Sequence, residues 1–186
     1  GGDIGIGTID PQATLHVRSS IPELRLTNTT TPNAFESGRI RFTEYGTARM
    51  QGAFVHYDGD TNKFKIGVHN IDDNLASNDV NAITIDRVSS DVGIGTHSPK
   101  LKLHVHQNNS NASFAHFTNT STGYNSNQGL SVGLDSDENA VMYHYGSKNI
   151  RFATSNTQHM TLRSTGQLGI GTNFNPPADA KKLTVI

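Results

Sequence analysis

The stretch "DVGIGTHSPKLKLHVHQ", residues 91–107, gathers residues that could do chemistry. Gly93 and Gly95, followed by Thr96 and Pro99, have the look of a phosphate cradle. A phosphate loop, however, needs Gly-Lys-Ser/Thr four residues after its first glycine and must open a helix. A dinucleotide fingerprint needs a third glycine and a helix as well. Here no lysine follows in register, and "LKLHVHQ" alternates like a strand. His104 and His106 form a His-x-His pair, and three copies around an axis would offer enough imidazoles for an octahedral transition-metal site. They alternate with Leu103 and Val105, so if the apolar face turns inward the histidines face solvent. No metal is therefore expected, with His104 and His106 as the one candidate pair.

Two acidic stretches share a D-x-D-x-N spacing: Asp58, Asp60 and Asn62 in "DGDTN", and Asp135, Asp137 and Asn139 in "DSDEN". An EF-hand would also need Gly at position six and Glu at position twelve. Those positions hold Lys63 and His69 in the first stretch, and Ala140 and Gly146 in the second. Hairpin turns are the expectation for both. The glutamates are Glu23, Glu36, Glu44 and Glu138, and no nucleophile elbow or metalloprotease motif occurs. A glycosidase would need two carboxylates facing one groove about 5–10 Å apart, and nothing in the sequence marks such a pair. No catalytic residue and no cofactor is expected. Tyr45, Tyr57, Tyr124, Tyr143 and Tyr145 lie near Asn and Asp, a setting suited to sugar binding by ring stacking and directed hydrogen bonds. The candidate ligand-binding residues are therefore Tyr57, Asp58, Asp60, Asn62, Tyr124, Asp135, Asp137, Tyr143 and Tyr145.

The elements that must position these residues repeat. "DIGIGTIDPQATLHV" (Asp3–Val17) matches "DVGIGTHSPKLKLHV" (Asp91–Val105) without a gap, and "QLGIGTNFNPPADAKKLTV" (Gln167–Val185) is a third copy with four extra residues. Gly5, Gly7, Gly93, Gly95, Gly169 and Gly171 are expected to permit positive φ or close backbone approach. Thr8, Thr96 and Thr172 are expected to bond locally, and Pro11 and Pro99 to stop strand pairing. Repetition makes the motif a connector between modules rather than a ligand site. An offset of 77 also carries "GAFVHYDGDTN" onto "GLSVGLDSDEN" and Ile83 and Ile85 onto Met160 and Leu162. Period-two alternation predicts strands at Leu15–Val17, Leu24–Leu26, Ile40–Phe42, Phe54–Tyr57, Phe64–Val68, Ile83–Ile85 and Leu101–Val105. It predicts more at Phe114–Phe117, Leu130–Leu134, Val141–Tyr145, Ile150–Phe152, Met160–Leu162 and Leu183–Val185. No long helix is expected, and a short helical turn fits Pro176–Lys182. The organisation read from this is a preceding module's end and connector (1–20), a module at 21–92 with an insertion near 29–51, a second module at 93–168 and a third module's start at 169–186. The first and last residues, "GGDIGIGT" and "KKLTVI", read as cut from a longer polypeptide.

Composition points to assembly. Apolar residues make up 33% of the 186, below the usual 45–50% or so. Asn, Thr and Ser number 18, 20 and 16. Charge is balanced, at −1 overall, which gives no reason to expect nucleic acid as a partner. No apolar run reaches the ~18 residues of a membrane span, and no cysteine is present. A lone globule of this composition would struggle to offset its ordering entropy, so other copies of the chain are expected to complete the core.

The pattern GIGT-x-x-P-x-x-x-L-x-V, preceded by strands such as "MTLRSTGQL", resembles the recurrent module of phage tail-fibre proteins and of similar trimeric surface adhesins. The resemblance covers nearly the whole chain. It implies an all-β, elongated, parallel homotrimeric fibre of tandem modules, with intertwined or triangular β-prism-like sections. It further implies an extracellular place, on a virion tail fibre or bacterial surface. The function it implies is attachment, without catalysis, to a cell-surface polysaccharide, lipopolysaccharide or surface protein. Members of the group often carry a C-terminal self-cleaving chaperone, which this sequence lacks. The alternatives are a glycan depolymerase of the tail-spike kind, a shaft with no ligand, and a monomeric β-sandwich carbohydrate-binding module.

Overall fold

A computed structural model describes residues 2–27, 38–44, 49–171 and 183–185. Every regular element in them is a β-strand, apart from one 3-10 turn at Ala76–Asn78. The protein is all-β. Among the described residues no helix is long and apolar enough to cross a membrane. The chain divides into two compact units, Gly1–His104 and Val105–Ile186.

Unit 1 opens with a parallel pair, β1 (Ile4–Ile6) and β2 (Leu15–Val17). A single sheet follows in simple sequential order: β3 (Arg39–Thr43), β4 (Gly52–Asp58), β5 (Lys63–His69), β6 (Val80–Asp86), β7 (Val92–Ile94) and β8 (Leu103–Val105), at which the unit ends. In unit 2, β9 (Ser113–Phe117), β10 (Leu130–Leu134) and β11 (Ala140–His144) form one sheet. A second contains β12 (Ile150–Thr154), β13 (Thr157–Leu162), β14 (Leu168–Ile170) and β15 (Leu183–Val185).

The glycine motif is itself a strand in each copy, β1, β7 and β14, which the alternation pattern misses because glycine carries no hydropathy signal. Its two glycines have separate duties. The second adopts positive φ, at 75° for Gly7, 72° for Gly95 and 118° for Gly171, a region glycine enters at little cost. The first is sterically closed. A Cβ on Gly93 would stand 2.6 Å from the Thr96 carbonyl oxygen, and one on Gly5 would strike the matching oxygen of Thr8. The threonines bond locally: the amides of Asp10 and Ser98 donate to Thr8 Oγ1 and Thr96 Oγ1, at 3.2 and 3.1 Å. Pro99 packs over Gly93. Thr172 and Pro176–Lys182 lie outside the described residues.

Leu24–Leu26 is not a strand; it runs as irregular chain past Gly38, whose missing side chain admits Leu26. β8 starts at Leu103, two residues later than alternation suggests. Strand pairing also revises the internal alignment. Ile83 lies opposite Ile66, and Met160 lies opposite Phe152. A register break follows at Ile66/Gly67 and again at Phe152/Ala153. So β12 corresponds to β5, and by chain order β10 and β11 correspond to β3 and β4. The two D-x-D-x-N turns therefore sit at different joints. "DGDTN" links β4 to β5, whereas "DSDEN" links β10 to β11, and the offset of 77 holds only downstream of them.

The burial pattern is inverted relative to a lone globule. Residues in register on an antiparallel ladder share a face. On one face of unit 1 lie Ile40, Phe42, Val55, Ile66, Ile83 and Ile94; Phe42 is 62% exposed. The opposite face holds Arg39, Arg41, Phe54, His56, His69 and Thr84, of which the last four are buried. Unit 2 repeats this. Phe117, Val132, Leu134 and Met142 share an exposed face of the first sheet, as do Phe152, Leu162 and Ile170 in the second. Thr84 opposite Gly93, and Thr161 opposite Gly169, are enclosed on the reverse side, with no partner for either hydroxyl among the described residues.

Candidate functional site

The polar faces carry the candidate chemistry, and the units treat them differently. In unit 1 the face is roofed. Arg39 and Arg41 lie across the Phe54 ring, 5.4 and 5.3 Å from its centroid. Both reach Asp79 beyond β5, at 2.8 and 2.5 Å. Gly67 makes the crossing possible, because a side chain there would strike the Phe54 ring. Buried His69 sits between two carboxylates, with Nδ1 2.9 Å from Asp79 and Nε2 3.0 Å from Asp73. It can donate to both only with both nitrogens protonated. Residues 70–79 are held by Asp73, whose carboxylate accepts from the Leu75 amide at 2.8 Å and from Asn78 Nδ2 at 2.6 Å. Burial pushes the Asp79 carboxyl up, but hydrogen bonds from Arg41 and His69 outweigh it and leave the group below the ordinary carboxylate range. Sequence reading did not bring this cluster together, since its members lie on three strands and a loop.

The candidate residues at the β4–β5 turn are engaged in shaping it. Asp58 accepts from the amides of Asp60 and Thr61 at 3.0 and 3.2 Å, from Thr61 Oγ1 at 2.6 Å and from Lys65 Nζ at 2.5 Å. Burial pushes this carboxyl up, and the Lys65 and Thr61 hydrogen bonds more than reverse that, holding it well below the usual carboxylate range. Asn62 has φ of 57° and accepts from the Tyr57 hydroxyl at 3.3 Å. Asp60 points to solvent. The β10–β11 turn works likewise: Asp135 accepts from the amides of Asp137 and Asn139 at 3.0 and 2.9 Å, and its carboxyl is lowered chiefly by Asn139. The expected hairpins are thus present, each capped by its first aspartate.

His104 is half-buried in β8, on the side opposite Leu103 and Val105, and His106 is exposed just beyond the strand. Among the described residues no three His, Asp or Glu side chains converge as a metal site.

Tyr143 and Tyr145 come together at the end of β11, with ring centroids 4.5 Å apart and planes inclined at 53°. His116 meets the Tyr145 ring edge-on at 6.3 Å, and its Nδ1 lies 2.8 Å from Ser131 Oγ. Tyr145 also lines a pocket of about 250 Å³ between the β9–β10 and β11–β12 connections, with Thr122, Asn127, Gln128, Ser147 and Lys148 in its wall. Tyr124, 90% exposed, stands on the first of these connections. The sequence marked the tyrosines but not the pocket, whose two walls, in 121–129 and 144–148, are at least fifteen positions apart. Asp135 and Asp137 lie at the far end of the same hairpin. Tyr45 lies outside the described residues. Compared with known proteins, the chain matches no family model and no curated protein.

Proposed function

We propose that this chain is a section of an elongated homotrimeric β fibre that attaches to a cell-surface glycan and carries out no reaction. The observation that supports it is the apolar face left open on the main sheets of both units. Monomers rarely expose large contiguous apolar patches. Three copies facing a common axis would bury it, and would leave outside the opposite face, which in unit 1 carries Arg39, Arg41 and His56. A closed threefold arrangement also suits identical chains, since each offers the same surface to its neighbour. An extracellular place, on a tail fibre or bacterial surface, belongs to the same reading. Attachment would work through avidity, with three identical patches multiplying a modest single-site affinity.

The test is retention of labelled protein on whole bacteria and on immobilised surface polysaccharides. The native chain is expected to be retained on at least one surface, and Phe42→Asp, which places a charge on the apolar face, to lose retention at least tenfold. Absence of retention on every surface would replace attachment with the ligand-free shaft. Release of reducing ends from any polysaccharide would replace it with the depolymerase.

A further inference from the structure

We propose that the pocket beside Tyr145 binds one sugar residue bearing a carboxylate, of the hexuronic or sialic acid kind. The proposal rests on the attachment reading and adds its site and ligand class. The size sets the first limit. At about 250 Å³ the space falls just below the ~300–1,000 Å³ usual for drug-sized ligands, so it admits one ring rather than a chain.

The lining sets the chemistry. Ser121, Thr122, Asn127 and Gln128 present hydroxyls and amides, the groups that pair with vicinal sugar hydroxyls, and Tyr145 adds an aromatic wall. Lys148 brings an ammonium and no carboxylate lines the pocket, so an anionic group on the sugar is favoured over a cationic one.

The walls are also set in place beforehand. Asn119 Oδ1 accepts from the amides of Ser121 and Thr122 at 3.0 and 2.9 Å, and Thr122 Oγ1 accepts from the Asn119 amide at 2.8 Å. Gln128 Oε1 accepts from the Asn125 amide at 3.1 Å. The opposite wall is fixed by Lys148 N–H donating to the Gly146 carbonyl at 2.7 Å and Tyr145 N–H to that of Gly129 at 3.0 Å. Loops already ordered lose less entropy on binding. The pocket lies where the strand sequence breaks. β4 and β5 are joined in one sheet, whereas their counterparts β11 and β12 belong to separate sheets, and the connection between them forms the wall.

The experiment is a calorimetric and NMR titration of the whole chain with D-glucuronic acid, D-galacturonic acid, N-acetylneuraminic acid and methyl glucoside. At least one acid is expected to bind in the millimolar range, at least fivefold tighter than the neutral glycoside. Lys148→Gln, on an exposed side chain, should erase that preference. Asn127→Ala should weaken binding severalfold, and Tyr145→Ala tenfold or more, with circular dichroism confirming the fold. Equal binding of neutral and acidic sugars would overturn the ligand class. Lack of binding by all four, or binding untouched by both Lys148→Gln and Asn127→Ala, would overturn the site. If cell retention persists in those variants, attachment stands and this pocket falls.

Discussion

The two units share a frame and differ in what covers it. In unit 1 the β5–β6 connection, residues 70–79, supplies Asp73 and Asp79 to an ionic roof over Phe54 and His69. In unit 2 the corresponding β12–β13 connection is a tight turn through Ser155 and Asn156, both at positive φ, of 48° and 59°. That geometry is typical of a two-residue hairpin loop. Among the described residues no such roof forms there; rings and a pocket occupy the polar side of β10 and β11 instead. The comparison teaches that the repeating frame carries the fold, while loop length decides whether a polar face is closed or available.

The largest effect that could break this comparison is at Asp79. Removing one partner of a buried charge cluster costs about 3–5 kcal/mol, so Asp79→Ala should lower unit 1 stability by that order in denaturant unfolding. Asp135→Ala, at an exposed turn of unit 2, should cost clearly less. Equal losses would mean that the roof contributes nothing of its own.

Acid should act next. The folded pKa of Asp79 and of Asp58 is lowered, so the stabilisation they give is fully present above the unfolded value near 4. It is lost as pH falls through their folded values. Melting temperature followed from pH 5 to pH 2 should therefore drop, and the drop should shrink in Asp79→Asn. A melting temperature that stays flat over this range would contradict the ionic account.

A smaller effect, of opposite sign, tests the shared frame. A buried hydroxyl without a partner costs about 1–3 kcal/mol, so Thr84→Val and Thr161→Val should each leave stability unchanged or raise it by about 1 kcal/mol. Matching gains would confirm that both threonines sit in the same environment. A loss in either would mean that its hydroxyl has a partner.

Much of this was legible in the sequence, for identifiable reasons. Strands such as Phe64–Val68 announce themselves because one face is apolar and the other is not. The tight turns announce themselves through Asp, Asn and Gly. The glycine motif was legible as a repeat but not as a strand. Leu24–Leu26 misled, because an alternating triplet does not guarantee a ladder partner. The offset of 77 misled too, since two D-x-D-x-N turns look alike while capping different hairpins. Tyr143 and Tyr145 were found by type, but the pocket wall depends on side chains brought together by the β9–β11 ladder. The Arg39–Asp79–His69 roof was out of reach for the same reason, as its contacts span up to 40 positions.

The most direct test of the central claim is the mass of the particle in solution, measured by light scattering on the native chain and on Phe42→Asp. Three chains per particle are expected for the native chain, with Phe42→Asp dissociated or unfolded. A native monomer that tolerates the charge at position 42 without loss of stability would contradict the account.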